Sequence, residues 1–396
     1  MNEKADNIIY LDSASTAKPS PEVLDFLAYS LNSYANPDSM HGFGLDAEKQ
    51  VGNSRNIIAS SLNINKTAGD IIFTSSGTEA NNLALFGAAE ALKNRGNKII
   101  TTDIEHPSVY APMLELEKKG FEVVFLSAKN GRLDLDKFKN SLCEKVILIS
   151  AMLINNETGG IFESDIKEII KITESLNLRG NLYIHCDAVQ AYGKINIDLN
   201  RFKLDMMSAS SHKIHGIKGS GALFLRKGRR IIPQIFGGGQ ENNYRSSTLN
   251  TPGIFAFGKA AAEASENLYK NQEYINNLFD YAVLQIKQKC PDVMFNFIDL
   301  NQNLSKYILS LRLPYNIKSE VMQNYLSGRK IYISSGSACS EKRRKSHESN
   351  RVLLNSGLNR NEADSTIRIS FSKYNTADEI DGFVSALKDG LTVIKN

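Results

Sequence analysis

A chain of 396 residues is long enough to bury a large core and to divide into one large and one smaller domain. Its 47 Lys and Arg residues nearly balance 43 Asp and Glu, so charge calls for neither a nucleic-acid nor a membrane-surface partner. The first six residues hold no apolar run of the signal-peptide kind, and the longest apolar run, residues 146–154 interrupted by Ser150, is far too short to span a bilayer. A soluble, cytoplasmic protein is the expectation.

In chain order, Ser20-Pro21-Glu22 opens a helix to about Tyr34, with a serine cap and proline in the first turn. Asn36-Pro37 breaks it, and a second helix runs from about Leu45 to Leu62. Residues 71–74 read as a short strand that feeds Ser75-Ser76-Gly77-Thr78 and a helix from about Glu79 to Asn94. Such a small-residue turn is a seat for phosphate, because backbone N–H groups and the helix dipole face the anion; the same residues also make an ordinary cap. Strands at 98–101, 122–127, 146–152, 182–186 and 205–209 then alternate with helices at 106–118, 135–142 and 164–176.

That alternation predicts an α/β fold with a mostly parallel sheet, whose ligands gather beyond the strand C-terminal ends. Gly77, His106, Asn156, Asp187 and Lys213 all fall at or just past such ends. From Pro252 a helical stretch to about Lys289 leads into a smaller C-terminal α/β domain. Its strands lie near 293–297, 307–313, 331–335 and 366–371, and its last helix runs from about 377 to 394. The expected division is an N-terminal segment (1–20) joining the small domain, a large domain (21–255) and the small domain itself (256–396).

Four cysteines, Cys143, Cys186, Cys290 and Cys339, are too few and too scattered for a disulfide framework or a zinc site, and no resident metal is expected. The first three sit in or beside apolar or helix-like sequence and read as inert core thiols. Cys339 lies between Ser335-Gly336-Ser337-Ala338 and Ser340-Glu341-Lys342-Arg343-Arg344-Lys345. Nearby cations lower a thiol pKa, which makes Cys339 the reactive candidate. The basic run reads as a solvated loop or as a docking patch.

Ser210-Ser211-His212-Lys213, with Gly216 and Lys218-Gly219-Ser220-Gly221 after it, holds a lysine in backbone that can approach a ligand closely. By itself the string is a solvated turn. The upstream stretch changes that reading: the apolar strand from Leu182 ends in Asp187, and Gln190 follows three residues on. A pyridoxal phosphate enzyme needs a lysine for its Schiff base and a carboxylate on the pyridinium nitrogen. Lys213 and Asp187 fit those two roles.

With these segments in hand, the chain resembles the class V aminotransferase branch of the fold-type I pyridoxal phosphate enzymes, and most closely the cysteine desulfurases of the NifS and IscS kind. The residues that carry the resemblance run in order from Tyr10-Leu11-Asp12 through Asn36 to His41, Thr74 to Asn82 and Glu105-His106. They continue through Asn155 to Gly159, the Asp187 and Lys213 segments, Gly237 to Glu241 and Arg245 to Leu249, and end with Ser334 to Ser340 and Ile367 to Ser370. Nearly the whole chain is covered.

The resemblance implies a fold-type I transferase that converts L-cysteine to L-alanine and passes the sulfur on. Lys213 would carry the cofactor, Asp187 would pair with its ring nitrogen, Gln190 with its phenolic oxygen, and His106 would stack on the ring and shuttle protons. Gly77, Thr78, Ser210 and His212 match the phosphate cradle. Thr248 matches a threonine that reaches the phosphate from the other subunit, which implies a homodimer. Asn156, beside the cofactor, and Arg368 match the groups that hold the substrate carboxylate, for which a guanidinium fork is well shaped. Cys339 would attack the substrate sulfur, become a persulfide and deliver it to a sulfur-acceptor protein, such as an iron–sulfur scaffold or a thiolation enzyme. Cys339 is also a candidate to ligate an iron–sulfur cluster transiently. Without the resemblance, His106 reads as a cap before Pro107 and Gln190 as a strand-end polar group. Arg368, in an otherwise apolar strand, calls for an anionic partner.

Departures mark where the resemblance thins. Arg245-Ser246-Ser247-Thr248 stands where Arg-Ser-Gly-Thr is usual, and Asn242-Asn243-Tyr244 replaces a more basic, glycine-bearing stretch. Residues 341–345 are bulkier and more charged than in the housekeeping enzymes, which bears on the acceptor. The rival readings are a selenocysteine lyase or another class V enzyme, and a non-catalytic sulfur-scaffold subunit.

Overall fold

The computed structural model describes residues 8–64, 68–314, 317–335 and 350–395. Its first half contains β1 (Ile9–Tyr10), α1 (Pro21–Ser30), α2 (Gly42–Ser61), β2 (Gly69–Thr74), α3 (Gly77–Leu92), β3 (Lys98–Thr102), α4 (Pro107–Lys118), β4 (Glu122–Leu126), α5 (Leu135–Ser141), β5 (Val146–Ser150), α6 (Glu163–Ser175), β6 (Tyr183–Asp187) and β7 (Met206–Ser210). The second half contains β8 (Gly221–Arg226), α7 (Thr251–Glu266), α8 (Leu268–Lys289), β9 (Met294–Asn296), β10 (Ile308–Arg312), α9 (Ser319–Ser327), β11 (Ile331–Tyr332), β12 (Ser334–Ser335), α10 (Arg351–Asn355), α11 (Arg360–Asp364), β13 (Thr366–Ser370) and α12 (Ala377–Lys395).

The central sheet has seven strands in the order β2-β8-β7-β6-β5-β3-β4. β5 and β6 sit in its middle and are buried at all five positions, as a parallel strand covered on both faces must be. β8, which the alternation of strands and helices did not predict, is antiparallel to both β2 and β7. The turn from Lys213 to Gly221 is too short for a crossover helix, so the chain must return in the opposite sense. Every other pairing in this sheet is parallel, so the C-terminal ends of β2, β3, β5, β6 and β7 share one edge.

A second sheet, β12-β13-β10-β9, is antiparallel throughout. β1 pairs in parallel with β11, and Leu11 joins the apolar cluster built from Ile275 to Leu387. The N-terminal strand is thereby bound to C-terminal elements, which brings residues 12–16 across the edge of the large sheet. The single helical stretch expected after Pro252 is two helices that meet at Asn267, whose φ of −104° and ψ of 12° are not helical. Among the described residues no helix is long and apolar enough to cross a membrane. One thiol expectation fails: Cys186 and Cys290 are buried, but Cys143 is exposed just past the end of α5.

Candidate active site

At the shared strand edge, Ser76 caps α3 by accepting a hydrogen bond from the Glu79 amide at 3.1 Å. Gly77 follows because nothing larger fits: a Cβ there would lie 2.7 Å from Val189 Cγ2. Gly221, at the start of β8, approaches more closely still, since its Cβ would meet the Ser76 carbonyl carbon at 2.5 Å and the Gly77 nitrogen at 2.9 Å. Ser210, at the end of β7, borders this turn, and its buried Oγ has no hydrogen-bond partner among the described residues. A helix N-terminus with unpaired amides and an orphaned hydroxyl is a donor set suited to a phosphate. Thr78 is exposed at the same turn.

Asp187, at the end of β6, is 4% exposed. Its Oδ1 accepts from the Val189 amide at 2.9 Å and its Oδ2 from Asn81 Nδ2 at 2.8 Å. Asn81, one helical turn beyond Gly77, also donates to Ser108 Oγ at 2.9 Å. Ser108 Oγ lies 2.7 Å from His106 Nδ1, and its own amide donates to that nitrogen at 3.1 Å. His106 therefore caps α4, as the bland reading of its sequence suggested, and is at the same time tied to Asp187 through two side chains.

Lys213 sits in a single 3₁₀ turn after β7. Its Nζ donates to the carbonyls of Ala14 at 2.5 Å and Ser15 at 2.6 Å. Burial, with Arg368 behind it, lowers Lys213 to about 8, although Asp12, Asp187 and Glu157 pull the other way. Gln190 Nε2 donates to the same Ala14 carbonyl at 2.7 Å, and Gln190 Oε1 accepts from Lys194 Nζ at 2.9 Å. Lys194 is 8% exposed, lies over the Tyr307 ring, and is lowered by burial, with Lys213 and Arg368 adding to the effect, to about 7. His212 Nδ1 contacts Thr16 Oγ1 at 3.1 Å, and burial followed by Lys213 lowers this imidazole to about 4.

Arg368, in β13, is 4% exposed, and both of its terminal amino groups are engaged. It donates to Asp12 Oδ1 at 2.9 Å, Ser15 Oγ at 3.0 Å, Glu157 Oε1 at 3.0 Å and the Asn156 carbonyl at 2.8 Å. Burial pushes Glu157 above the usual carboxylate range against the pull of Arg368. Asn156 donates through Nδ2 to Glu157, and its buried Oδ1 has no partner among the described residues. The anionic partners required by a buried arginine are thus two carboxylates of this chain.

Thr248 stands exposed on the surface. Cys339 and the Lys342-Arg343-Arg344-Lys345 run lie outside the described residues. On the near side of that segment, β12 pairs with β13 so that Ser334 faces Arg368. On the far side, Arg351 donates to the carbonyls of Asp103 and Glu105 and stacks 3.7 Å from the Tyr110 ring centroid, just before and after His106.

Comparison with known proteins accounts for this constellation. Residues 9–383 match the aminotransferase class-V family. The cysteine desulfurase IscS of Clostridium botulinum is 36% identical over 388 residues, covering 96% of this chain and 93% of that one. This chain belongs to the cysteine desulfurases of the class V aminotransferase family. Among solved structures, a NifS-like protein superposes with a TM-score of 0.88 at 33% identity, over 98% of this chain and 100% of that one. SspA, solved in complex with cysteine, superposes with a TM-score of 0.77 at 29% identity, over 93% of this chain and 100% of that one.

Members of this family are pyridoxal phosphate enzymes of fold-type I, and the residues present fit that group. The orphaned Ser210 hydroxyl at the α3 N-terminus suits a phosphate. Asp187 is a buried acceptor beyond the strand ends, and Lys213 is an amine lowered toward neutrality. Sequence reasoning missed Asn81, Ser108, Lys194, Asp12 and Glu157 as working residues. Asn81 had a signal: its spacing of four from Gly77 places it on the same helix face. Lys194 follows Gln190 by four residues in a turn, but nothing in the string predicts its burial.

Proposed function

We propose that the chain is a pyridoxal phosphate-dependent L-cysteine desulfurase in which Lys213, Asp187, Gln190, His106, Asn156 and Arg368 form the working site, with Gly77, Thr78, Ser210 and His212 around the phosphate. The observation that carries the proposal is a pair of hydrogen-bond sets at one strand edge, the first joining Lys213, Gln190 and Arg368 at residues 12–15 and the second running from Asp187 through Asn81 and Ser108 to His106. When bound, the cofactor supplies an electron sink for the pair released at the substrate Cα.

The chain's own residues supply the rest. Asp187, whose carboxylate accepts from two N–H donors, would pair with the cofactor's ring nitrogen. Lys213, poised near 8, takes the proton from Cα and can return one. Arg368 offers its fork to the substrate carboxylate, which must share it with Asp12 and Glu157. The Cys339 thiolate attacks the substrate sulfur. The C–S pair stays with the carbon skeleton, which is protonated to L-alanine, and Cys339 is left as a persulfide. Support for Cys339 comes from its position in the family string and from the described residues on either side, Ser334 and Arg351, which contact β13 and the His106 turn.

A homodimer is supported by exposed apolar side chains on two neighbouring segments. Tyr34 is 84%, Met40 91% and Phe236 77% exposed, and Gln240 Nε2 bonds to Asp38 to join the segments that carry them. Monomeric surfaces rarely leave such groups together, and a second copy would cover them and bring in Thr248. A two-domain division with the N-terminal segment joining the small domain is supported by separate apolar clusters, the one around β13 drawing in Leu11; the large-domain cluster takes in Ala256, Phe257, Ala260 and Ala261, so the boundary belongs after α7 and not at 255. A cytoplasmic site of action is supported by the buried, unpaired thiols of Cys186 and Cys290. The persulfide's recipient is a sulfur-acceptor protein. The test is mass spectrometry of the Cys339 peptide after exposure of the holoenzyme to L-cysteine. A one-sulfur increase that is absent in Lys213→Ala supports the reading; sulfide release with an unmodified Cys339 refutes the role given to this thiol.

A further inference from the structure

We propose that Asn81 and Ser108 are positioning residues that hold His106 in one tautomer, with Nδ1 unprotonated and the ring proton on Nε2. They thereby decide which nitrogen exchanges a proton with the reacting groups. The functional consequence rests on the reading of His106 as a proton shuttle; the tautomer itself does not.

The direction of each hydrogen bond is fixed by what can donate. Asp187, when ionised, only accepts, so Asn81 must turn its Nδ2 toward Oδ2 at 2.8 Å; the flipped amide would set a carbonyl oxygen against a carboxylate. The second Nδ2 proton points at Ser108 Oγ at 2.9 Å. That hydroxyl, having accepted, has its one proton free for His106 Nδ1 at 2.7 Å. The Ser108 amide meets the same nitrogen at 3.1 Å, and a backbone N–H can only donate. Two donors converging on Nδ1 leave no room for a proton there. The neutral ring must then carry its proton on Nε2, as happens wherever one imidazole nitrogen is fixed by its neighbours.

Packing keeps the arrangement rigid. Asn81 is fully buried on α3 and Ser108 is 7% exposed on α4, two helices that pack against each other. The relay begins at Asp187, so the carboxylate that would pair with the cofactor nitrogen also orients His106. Ser108 is the member that sequence alone would pass over, since a serine in the first turn of a helix reads as ordinary N-terminal chemistry.

The test is ¹⁵N NMR of histidine-labelled, cofactor-loaded enzyme near neutral pH, with the His106 signals assigned by their loss in His106→Gln. The wild type should show an unprotonated, pyridine-type Nδ1 and a protonated Nε2. Ser108→Ala should raise the population of the other tautomer about fivefold, the factor set by one neutral hydrogen bond of about 1 kcal/mol. Ser108→Thr, which keeps the hydroxyl, should restore the wild-type pattern. A protonated Nδ1 in the wild type overturns the proposal whether or not the variants hold cofactor, and so do identical spectra for the wild type and Ser108→Ala. Either failure would leave the desulfurase reading standing, because that reading is tested by sulfur transfer.

Discussion

Lys213 gives the sharpest quantitative expectation. Burial first, and the Arg368 guanidinium second, bring its amine from 10.5 to about 8. At pH 7 such a lysine is neutral in roughly one molecule in eleven, against about one in three thousand for an unperturbed side chain, a gain on the order of 300-fold in the form that attacks an aldehyde. Uptake of pyridoxal phosphate by the apo protein, followed by cofactor absorbance, should therefore quicken about tenfold per pH unit and level off near pH 8. Arg368→Gln removes the second cause of the lowering and should move the plateau to higher pH, while Lys213→Ala should form no reducible adduct. A rate still climbing tenfold per unit beyond about pH 9.5 would mean an ordinary lysine and would refute the electrostatic reasoning.

Three other perturbations probe the surroundings. Gly221→Ala forces a Cβ onto the Ser76 and Gly77 backbone, so the fold should lose about 1–3 kcal/mol of stability and cofactor affinity should drop at least tenfold, as read by denaturant melts and cofactor titration. Glu105 is fully buried, and burial, against the Thr102 and Met152 hydrogen bonds, raises it to about 8. A raised acid contributes stability in full below its unfolded value of about 4.5 and loses it progressively up to the folded one near 8, so Glu105→Gln should match the wild type near pH 4, gain on it as pH rises, and melt higher than it near pH 9. Lys194, lowered to about 7, has the opposite sense: its contribution is present above the unfolded lysine value and lost as pH falls toward 7. Lys194→Met should flatten that part of the apo protein's melting profile. It should also weaken cofactor retention, because Gln190 Oε1 loses the ammonium that turns its Nε2 toward the site.

Much of this architecture was legible because local signals and the global fold agree. Pro21 after Ser20 started α1 where expected, and the apolar runs gave β2 to β7 within one or two residues. β8 escaped because its apolar run follows a glycine turn that reads as the end of the lysine loop, and no periodicity says that the next strand reverses. Cys143 was misjudged from helix-like neighbours, although a thiol just past a short helix has little to pack against. In the site, Lys213 and Asp187 were visible from residue type and strand-end position. Asp12 and Glu157 were visible only as motif letters, because their partnership with Arg368 joins positions 356 and 211 residues apart. Pairing of that kind belongs to topology, which a one-dimensional pattern does not encode.

The central claim is that this constellation removes sulfur from L-cysteine. The most direct measurement gives the purified, cofactor-loaded protein L-cysteine with a thiol reductant and quantifies sulfide and alanine together, beside Lys213→Ala and Cys339→Ala. The account predicts equal amounts of both products from the wild type and neither from the two variants. A wild type that binds cofactor and cysteine yet releases neither product, or a Cys339→Ala protein that yields both at the wild-type rate, would contradict it.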